Sequence, residues 1–335
     1  MTGAPFTRKH ELACRDVIYS HSQSFFLSSM LLPPDIRMCA WAVYGFCRDA
    51  DDAVDDPASQ SYSMKKVDEL RERLELIYKG EASSCIDEAF SLFVSHYKIP
   101  RSIADCLLDG FETDASGVDL ESEADLINYS FQVASTVGLM LTCAMLDTRS
   151  QIVLMKASDL GLAMQLTNIA RDMGFDFRLK RYYLPRSIRE RYGFEGVDNL
   201  SGPSESTRRM TEWLVSLSHS HYRSARQGIQ YLPMNCRLAI TASMYVYSAI
   251  NDAIKANSFD NISSRAYVST PKKFALVAQA MSDVIATPYE SEIKSGPSDS
   301  LLKERLENLG LIDVSQSDLE SAKELRLVYA DENRY

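Results

Sequence analysis

The stretch MCAWAVYGFCRDADDAVDD, residues 38–56, places five aspartates within eight positions directly after an apolar run. The apolar half, MCAWAVYGF, is typical of a buried helix. Like charges at helical spacing repel by roughly a few tenths of a kcal/mol per pair in water, and by more when they are desolvated. The aspartates therefore need a compensating cation, or else they form a solvated helix end.

The composition limits the class of protein. The chain has 335 residues, of which 45% are apolar and 24% charged, so wholesale disorder is excluded. Its net charge of -10 argues against nucleic acid as a partner, because phosphate backbones require clustered lysine and arginine. The seven cysteines include no CxxC pair, and the N-terminus MTGAPFTRKHELACRD has no apolar signal core. We therefore predict a protein of a reducing compartment, the cytoplasm, that is not exported.

Helical periodicity dominates the chain, and glycine and proline fall mostly between apolar segments. The apolar stretch FQVASTVGLMLTCAML, residues 131–146, is too short and interrupted to span a bilayer, and we predict a buried helix there. No second core is visible, so we predict one all-α domain over residues 1–287. A charged extension, helical and peripheral, is expected at 288–335. Helices are predicted near 8–30, 35–55, 63–79, 86–97, 101–114, 122–146, 150–177, 204–230, 235–257 and 271–286.

A second acidic cluster lies in QLTNIARDMGFDF, residues 165–177. Its oxygen-bearing side chains recur every fourth residue and so share one helical face: Asn168, Asp172 and Asp176. In the first cluster Asp51 and Asp55 are also four apart. Two such helices facing one another across a cavity would offer oxygen ligands of the kind that Mg²⁺ prefers.

Arginines accompany both clusters. Arg48 precedes Asp51 by three residues, and Arg171 directly precedes Asp172. A guanidinium at either place could hold a phosphate in a bidentate grip, or it could simply form an internal salt bridge. The sequence leaves both interpretations open.

Seven segments, in order along the chain, carry a family resemblance. They are HSQSFFLSSMLLPPDIR (21–37), YGFCRDADDAVDD (44–56), GFETD (110–114), YSFQVASTVGLM (129–140), GLAMQLTNIARDMGFDF (161–177), RYYLP (181–185) and RAYVSTPKK (265–273). With these segments the chain resembles head-to-head prenyl synthases of the phytoene/squalene synthase family, most closely the bacterial phytoene synthases. The resemblance implies an isoprenoid-synthase-type helical bundle around a central apolar cavity.

The resemblance also implies roles for individual residues. The implied metal ligands are Asp51, Asp55, Asn168, Asp172 and Asp176. The residues implied to hold substrate diphosphate are Ser22, Arg48, Tyr247, Arg265, Lys273 and Gln165. Tyr129 matches a tyrosine near the leaving diphosphate, and it joins Arg48, Asp51 and Asp172 as the catalytic group. For Tyr129 and Gln165 the alternative is a core residue that satisfies a buried backbone group.

The implied reaction is the Mg²⁺-dependent condensation of two geranylgeranyl diphosphates, through a cyclopropyl diphosphate, to phytoene, the first committed step of carotenoid biosynthesis. Mn²⁺ is an alternative ion, and no NADPH is expected. Squalene or dehydrosqualene formation from two farnesyl diphosphates is the first alternative, and a catalytically idle assembly subunit is the second. Because the prenyl chain of the substrate and the hydrocarbon product are apolar, peripheral contact with the inner membrane surface is expected. Contact with downstream carotenoid enzymes is also expected.

Two positions depart from the family pattern. Many relatives have Gly-Arg before the YLP segment, where this chain has Lys180 and Arg181. The central helix carries Ser135 where glycine is usual. We expect these changes to bear on substrate length rather than on the fold.

Overall fold

The computed structural model describes residues 5–54, 60–146, 150–194, 196, 202–286 and 293–312. Within them the structure is helical, and the extended backbone pairs only in a single bridge between Asp119 and Tyr182. This confirms the predicted all-α class. The helices are α1 (Arg8–His21), α2 (Gln23–Ser29), α3 (Pro34–Val54), α4 (Gln60–Lys79), α5 (Cys85–His96), α6 (Arg101–Ser116), α7 (Glu123–Ser130), α8 (Thr136–Met145), α9 (Gln151–Arg178), α10 (Arg186–Arg191), α11 (Glu205–Arg226), α12 (Met234–Ala256), α13 (Thr270–Ala286) and α14 (Asp299–Asn308).

The prediction of one helix over residues 8–30 is wrong, because the chain breaks at Ser22. The Ser22 backbone leaves the helical region (φ -145°, ψ 88°), and its hydroxyl accepts a hydrogen bond from the Phe25 amide. Serine is a preferred N-cap because its side chain satisfies an amide that the first turn leaves unpaired. The break turns α2 toward the cavity described below.

The predicted buried helix at 131–146 is confirmed as part of a longer helical segment. Residues Phe131–Ser135 form a π-helical turn between α7 and α8. The whole segment Glu123–Met145 is long and apolar enough to cross a bilayer by length and composition, but 56% of its most apolar window is buried inside the bundle. Here it serves as a core helix.

Helix α9 packs unusually closely against this π turn. A Cβ on Gly161 would lie 2.5 Å from the Ser135 Cα, so no side chain fits at that position. The Ser135 hydroxyl donates a hydrogen bond of 2.7 Å to the Ser158 carbonyl. The serine thus adds a side-chain hydrogen bond between the two helices.

Part of the expected C-terminal extension contributes buried side chains to the bundle. Leu302 and Leu306 of α14 are fully buried within the largest hydrophobic cluster of the bundle. Their spacing of four residues puts both on one face, which packs inward. Residues 299–308 of the expected extension form α14, and the division of the chain into a domain and a peripheral extension stays a prediction. The predicted boundary at residue 287 lies outside the described residues.

A central cavity of about 290 Å³ runs through the bundle, close to the lower limit for small-molecule sites. Gln165 and Asn168 line one end, which we call the proximal end. Leu32, Met145 and Val153 line the other, which we call the distal end. Apolar side chains line most of the wall between them, as the resemblance implied.

Candidate active site

The second acidic motif lies on the last three turns of α9, at the proximal end of the cavity. Asn168 donates from its amide nitrogen to the Gln165 side-chain oxygen at 3.2 Å. The Asn168 Oδ1 is buried without a hydrogen-bond partner among the described residues. A buried acceptor left unpaired costs free energy, so this oxygen is suited to receive a ligand.

Asp172 lies between two arginines. Arg171 donates to its carboxylate at 2.9 and 2.5 Å, and Arg265 donates to the same two oxygens at 2.6 and 3.0 Å. Burial opposes ionisation of Asp172, but these hydrogen bonds outweigh it and hold the pKa below its usual value. Asp172 is therefore a carboxylate at neutral pH, and two guanidinium groups sit beside it.

Asp176 has the opposite electrostatic environment. Burial, followed by the charge of Asp172, raises its pKa to about 7. Its negative charge is thus poorly compensated by the protein alone. A divalent cation at this site would reverse that effect.

Residues 257–265 position Arg265 by packing against the C-terminal half of α9. Gly174 allows this contact, because a Cβ there would lie 2.6 Å from the Asn261 carbonyl oxygen. The Asn261 amide in turn donates to the Ala170 carbonyl. A glycine and a buried asparagine, neither of them assigned a role from the sequence, therefore bring Arg265 to Asp172.

The first motif distributes its charges among different partners. Arg48 donates to Asp51 at 3.2 Å and also pairs with Asp52. Asp49 turns away and accepts from Arg73 at 2.6 Å. Asp55, predicted as a metal ligand, lies outside the described residues. The described aspartates of this motif therefore pair with two different arginines: Asp51 and Asp52 with Arg48, and Asp49 with Arg73.

Asp114 connects the two motifs, and sequence reasoning missed it. Its carboxylate accepts hydrogen bonds from the hydroxyls of Tyr129 (2.9 Å) and Tyr183 (2.7 Å). Burial raises its pKa to about 7, the two tyrosines partly offset this, and Asp51 adds to it. Asp114 in turn helps to raise the pKa of Asp176. The only signal was the segment GFETD, in which Asp114 is one of several acidic residues on α6 and has no spacing that sets it apart.

The remaining predicted site residues fall into two groups. Ser22 and Tyr247 belong to an aromatic group at the proximal end, where the Phe25 and Tyr247 ring centroids are 4.9 Å apart. The Tyr44 ring belongs to the same group, 6.1 Å from the Phe25 ring. Lys273 lies in the first turn of α13, and no side-chain hydrogen bond or ion pair joins it to the acidic motifs among the described residues. The structure thus brings together all the described candidates except Lys273.

The donor set fits a hard divalent cation. It consists of the unpaired Asn168 oxygen and the carboxylates of Asp51, Asp172 and Asp176, and all are oxygen ligands. In the part of the chain that is described, no three histidine, cysteine or acidic side chains converge tightly enough to hold an ion by themselves. A cation here would take the rest of its ligands from water and substrate phosphate, as Mg²⁺ commonly does.

Comparisons with known proteins agree with this geometry. The squalene/phytoene synthase family model matches residues 18–272. The phytoene synthase of Cereibacter sphaeroides is 36% identical over 287 residues, which are 83% of this chain and 81% of the relative. That of Rhodobacter capsulatus is 37% identical over 277 residues, 82% of this chain and 81% of the relative.

A solved structure shares the fold over most of its length. The crystal structure of a dehydrosqualene synthase in complex with ligand superposes with a TM-score of 0.76 at 25% identity. The superposition covers 83% of this chain and 98% of the other. On these matches and on the paired acidic motifs, the chain belongs to the squalene/phytoene synthase family and is a prenyltransferase-type enzyme.

Proposed function

We propose that this protein joins two molecules of geranylgeranyl diphosphate head to head and releases phytoene. One observation carries the proposal: Asn168 lines an apolar cavity, and Asp172 and Asp176 follow it on the same face of α9, with two arginines bound to Asp172. The charged end suits a diphosphate and the apolar part suits a prenyl chain. The identity to bacterial phytoene synthases favours the C20 substrate.

The arginines are placed to bind the departing diphosphate. Arg171 and Arg265 both reach the Asp172 carboxylate, so their remaining N–H groups can donate to phosphate oxygens beside it. Arg48 brings a third guanidinium from α3. Mg²⁺ held by Asp51, Asn168, Asp172 and Asp176 would neutralise the diphosphate charge that builds as the carbon–oxygen bond breaks.

Tyr129 is oriented by Asp114. Because the phenol donates a hydrogen bond to the carboxylate, the hydroxyl is fixed in one direction. Burial, together with the Asp114 charge, raises the Tyr129 pKa well above its usual value, so the phenol stays protonated at neutral pH. Tyr129 can therefore keep a neutral hydroxyl close to the reacting groups without adding negative charge.

The cavity wall protects carbocations from water. The allylic cation left after ionisation would react with any water within reach, so the space around it must be dry. Val137, Leu141 and Leu160 line the middle of the cavity and offer no nucleophilic atom. The apolar wall therefore favours attack by the double bond of the second substrate.

The test is an incubation of the purified protein with Mg²⁺ and either C15 or C20 prenyl diphosphate, with and without NADPH. A C40 hydrocarbon formed without NADPH is the expected product. A C30 product would instead support the squalene or dehydrosqualene alternative, which the likeness to a dehydrosqualene synthase structure keeps as the second candidate. No hydrocarbon from either substrate would support an idle assembly subunit.

We further infer a cytoplasmic location with contact at the inner membrane surface. Phe274, Met281 and Ile285 lie on the outward face of α13 and are 52 to 81% exposed. Lys272, in the first turn of the same helix, could meet anionic lipid headgroups. Flotation with anionic vesicles should be weakened by Met281→Ser but not by Met234→Ser, which removes an equally exposed methionine at the start of α12. Equal flotation of both variants would contradict this inference.

A further inference from the structure

A short segment beyond the family match covers the distal end of the cavity. Residues 293–298, which we call the distal strap, lead into α14 and lie outside the matched residues 18–272. Ile293 packs against the cluster formed at the distal end by Leu32, Met145 and Val153. The same three side chains line the cavity, so the strap lies directly behind its wall.

Lys156 connects the cavity wall to the strap. It lines the cavity, and its ammonium donates to the Lys294 carbonyl at 3.1 Å and to the Ser224 hydroxyl at 2.8 Å. Gln227 accepts from the Lys294 amide at 2.6 Å. Both backbone polar groups of Lys294 are thus held by residues of the bundle.

A buried polar network stands behind Lys156. Asp159 lies 3.8 Å from the ammonium and accepts from the Ser224 hydroxyl at 2.5 Å. Its other oxygen is 2.7 Å from the His221 Nδ1. Lys156, Asp159 and His221 are each at least 97% buried. Buried charges of this kind add little stability over apolar packing, but they fix a particular arrangement of the chain.

The strap fits this network closely. The Ser298 hydroxyl lies 3.4 Å from the His221 Nε2, and Asp299 accepts from the Gly296 amide at 2.8 Å. A Cβ on Gly296 would lie 2.6 Å from the Ser224 oxygen and 2.9 Å from an Asp159 oxygen. A side chain at position 296 would therefore require Ser224, Asp159 and Asp299 or the strap itself to move.

The network lies at the end of the cavity away from the diphosphate site. Lys156 and Asn168 are twelve residues apart on α9, which is about 18 Å along the helix axis. We propose that the distal strap closes the distal end of the cavity against water, and that Lys156 is the positioning residue that holds it. The inference rests on the proposed function, because only a cation-forming reaction requires this closure.

Opening the strap would divert the reaction in a defined way. After diphosphate has left, a water oxygen would bond to the cationic carbon and lose a proton to solvent. The product would be a prenyl alcohol in place of the hydrocarbon. The ratio of alcohol to hydrocarbon therefore reports closure, whereas diphosphate release reports ionisation.

The test compares Gly296→Ala with Gly202→Ala, a control at a glycine whose added Cβ meets nothing within 4 Å. Full-length proteins are incubated with Mg²⁺ and geranylgeranyl diphosphate, and diphosphate, hydrocarbon and alcohol are measured. Hydrogen exchange is followed in residues 293–312. We expect Gly296→Ala to raise the exchange and to increase the alcohol-to-hydrocarbon ratio severalfold while diphosphate is still released. Gly202→Ala should leave both measurements as in the wild type.

Ile293→Ala provides a milder second variant in case Gly296→Ala does not fold. It removes the contact with the distal cluster without adding an atom, and the same two changes are expected at smaller size. Faster exchange at 293–312 with an unchanged product ratio in either variant would overturn the inference. A wild-type protein that releases no diphosphate would overturn the proposed function and the inference together.

Discussion

The proximal and distal ends of the cavity both bury charged groups beside apolar side chains, but the polar groups at the two ends differ in how far the chain itself supplies their partners. At the proximal end the Asn168 oxygen has no partner among the described residues, and Asp176 resists ionisation. At the distal end Lys156, Asp159 and His221 each have protein partners at short distance. The unpaired Asn168 oxygen beside other oxygen ligands indicates a ligand site. The pairing of Lys156, Asp159 and His221 within the chain indicates a structural role, although the nearby Asp299 Oδ1 has no hydrogen-bond partner among the described residues.

The largest expected effect tests the proximal end. Asp172→Ala should lower kcat by about a thousandfold or more, because it removes a metal ligand and the group that aligns two arginines. The melting temperature should fall as well, because Arg171 and Arg265 lose their shared carboxylate, so kcat is measured at a temperature where the variant remains folded. Product formation from geranylgeranyl diphosphate and thermal unfolding are the measurements. Activity near the wild-type level would show that the proximal site is misassigned.

The matching change at the distal end should act mainly on stability. Asp159→Ala leaves Lys156 and His221 buried without their main partner, which should cost about 3–5 kcal/mol of unfolding free energy. Denaturant unfolding measures this loss, and Asp159→Asn, which keeps hydrogen-bonding atoms in place, is the control. A loss of unfolding free energy below about 1 kcal/mol would show that the distal charges have no structural role, which contradicts the proposed difference between the two ends.

Tyr129→Phe examines the group between the two motifs. It removes one hydrogen bond to Asp114 and the hydroxyl itself, and we expect kcat to fall by about a hundredfold. If Tyr129 only fills the core, the unfolding free energy would change and kcat would not. Comparison with Tyr183→Phe, which removes the other hydroxyl bound to Asp114, separates the two roles.

Asp176→Asn sharpens the comparison through pH. The Asp176 pKa rises from 3.8 in the unfolded chain to about 7 in the folded protein, so only the folded state holds the proton between these values. Its stabilising contribution is full below pH 3.8 and is lost as the pH rises through about 7. Without Mg²⁺ at pH 8, the asparagine variant should therefore be more stable than the wild type, by up to about 4 kcal/mol.

Thermal unfolding across pH 5 to 8 measures this difference. Added Mg²⁺ should stabilise the wild type at pH 8 and stabilise Asp176→Asn less, because a ligand has been removed. A stability difference that is the same at pH 5 and pH 8 would contradict the assignment of the raised pKa to Asp176. The Asp114 pKa is raised in the same way, so we expect the stability of the Asp176→Asn variant to keep some dependence on pH.

More of the proximal end than of the distal end could be predicted from the sequence, because some of its key residues are close together along the chain. Asp172 and Asp176 are four residues apart on one helix, so periodicity alone placed them on one face. The bond from Arg265 to Asp172 joins residues 93 positions apart and came only through the family resemblance. Lys156 and His221 lie on different helices, and nothing in their spacing distinguishes them from solvated or core positions. Asp114 was missed likewise, because its partners lie 15 and 69 residues away.

Most helices were predicted to within a few residues because their caps and apolar periods are local. Ser22 shows the limit, since a serine inside an amphipathic stretch is compatible with both a continued helix and a new N-cap. The buried leucines of α14 show another limit. A short charged helix packs its apolar face against the bundle only when other parts of the fold form a groove that receives it.

The packing of α14 affects how this protein should be handled in the laboratory. A shortened chain ending at residue 286 would retain every residue matched by the family model and every proposed metal ligand. It would also uncover the apolar groove that Leu302 and Leu306 fill, and it would leave Lys156 without the Lys294 carbonyl. Such a fragment would be prone to aggregate during expression, and its low yield would reflect an exposed core rather than a damaged catalytic centre.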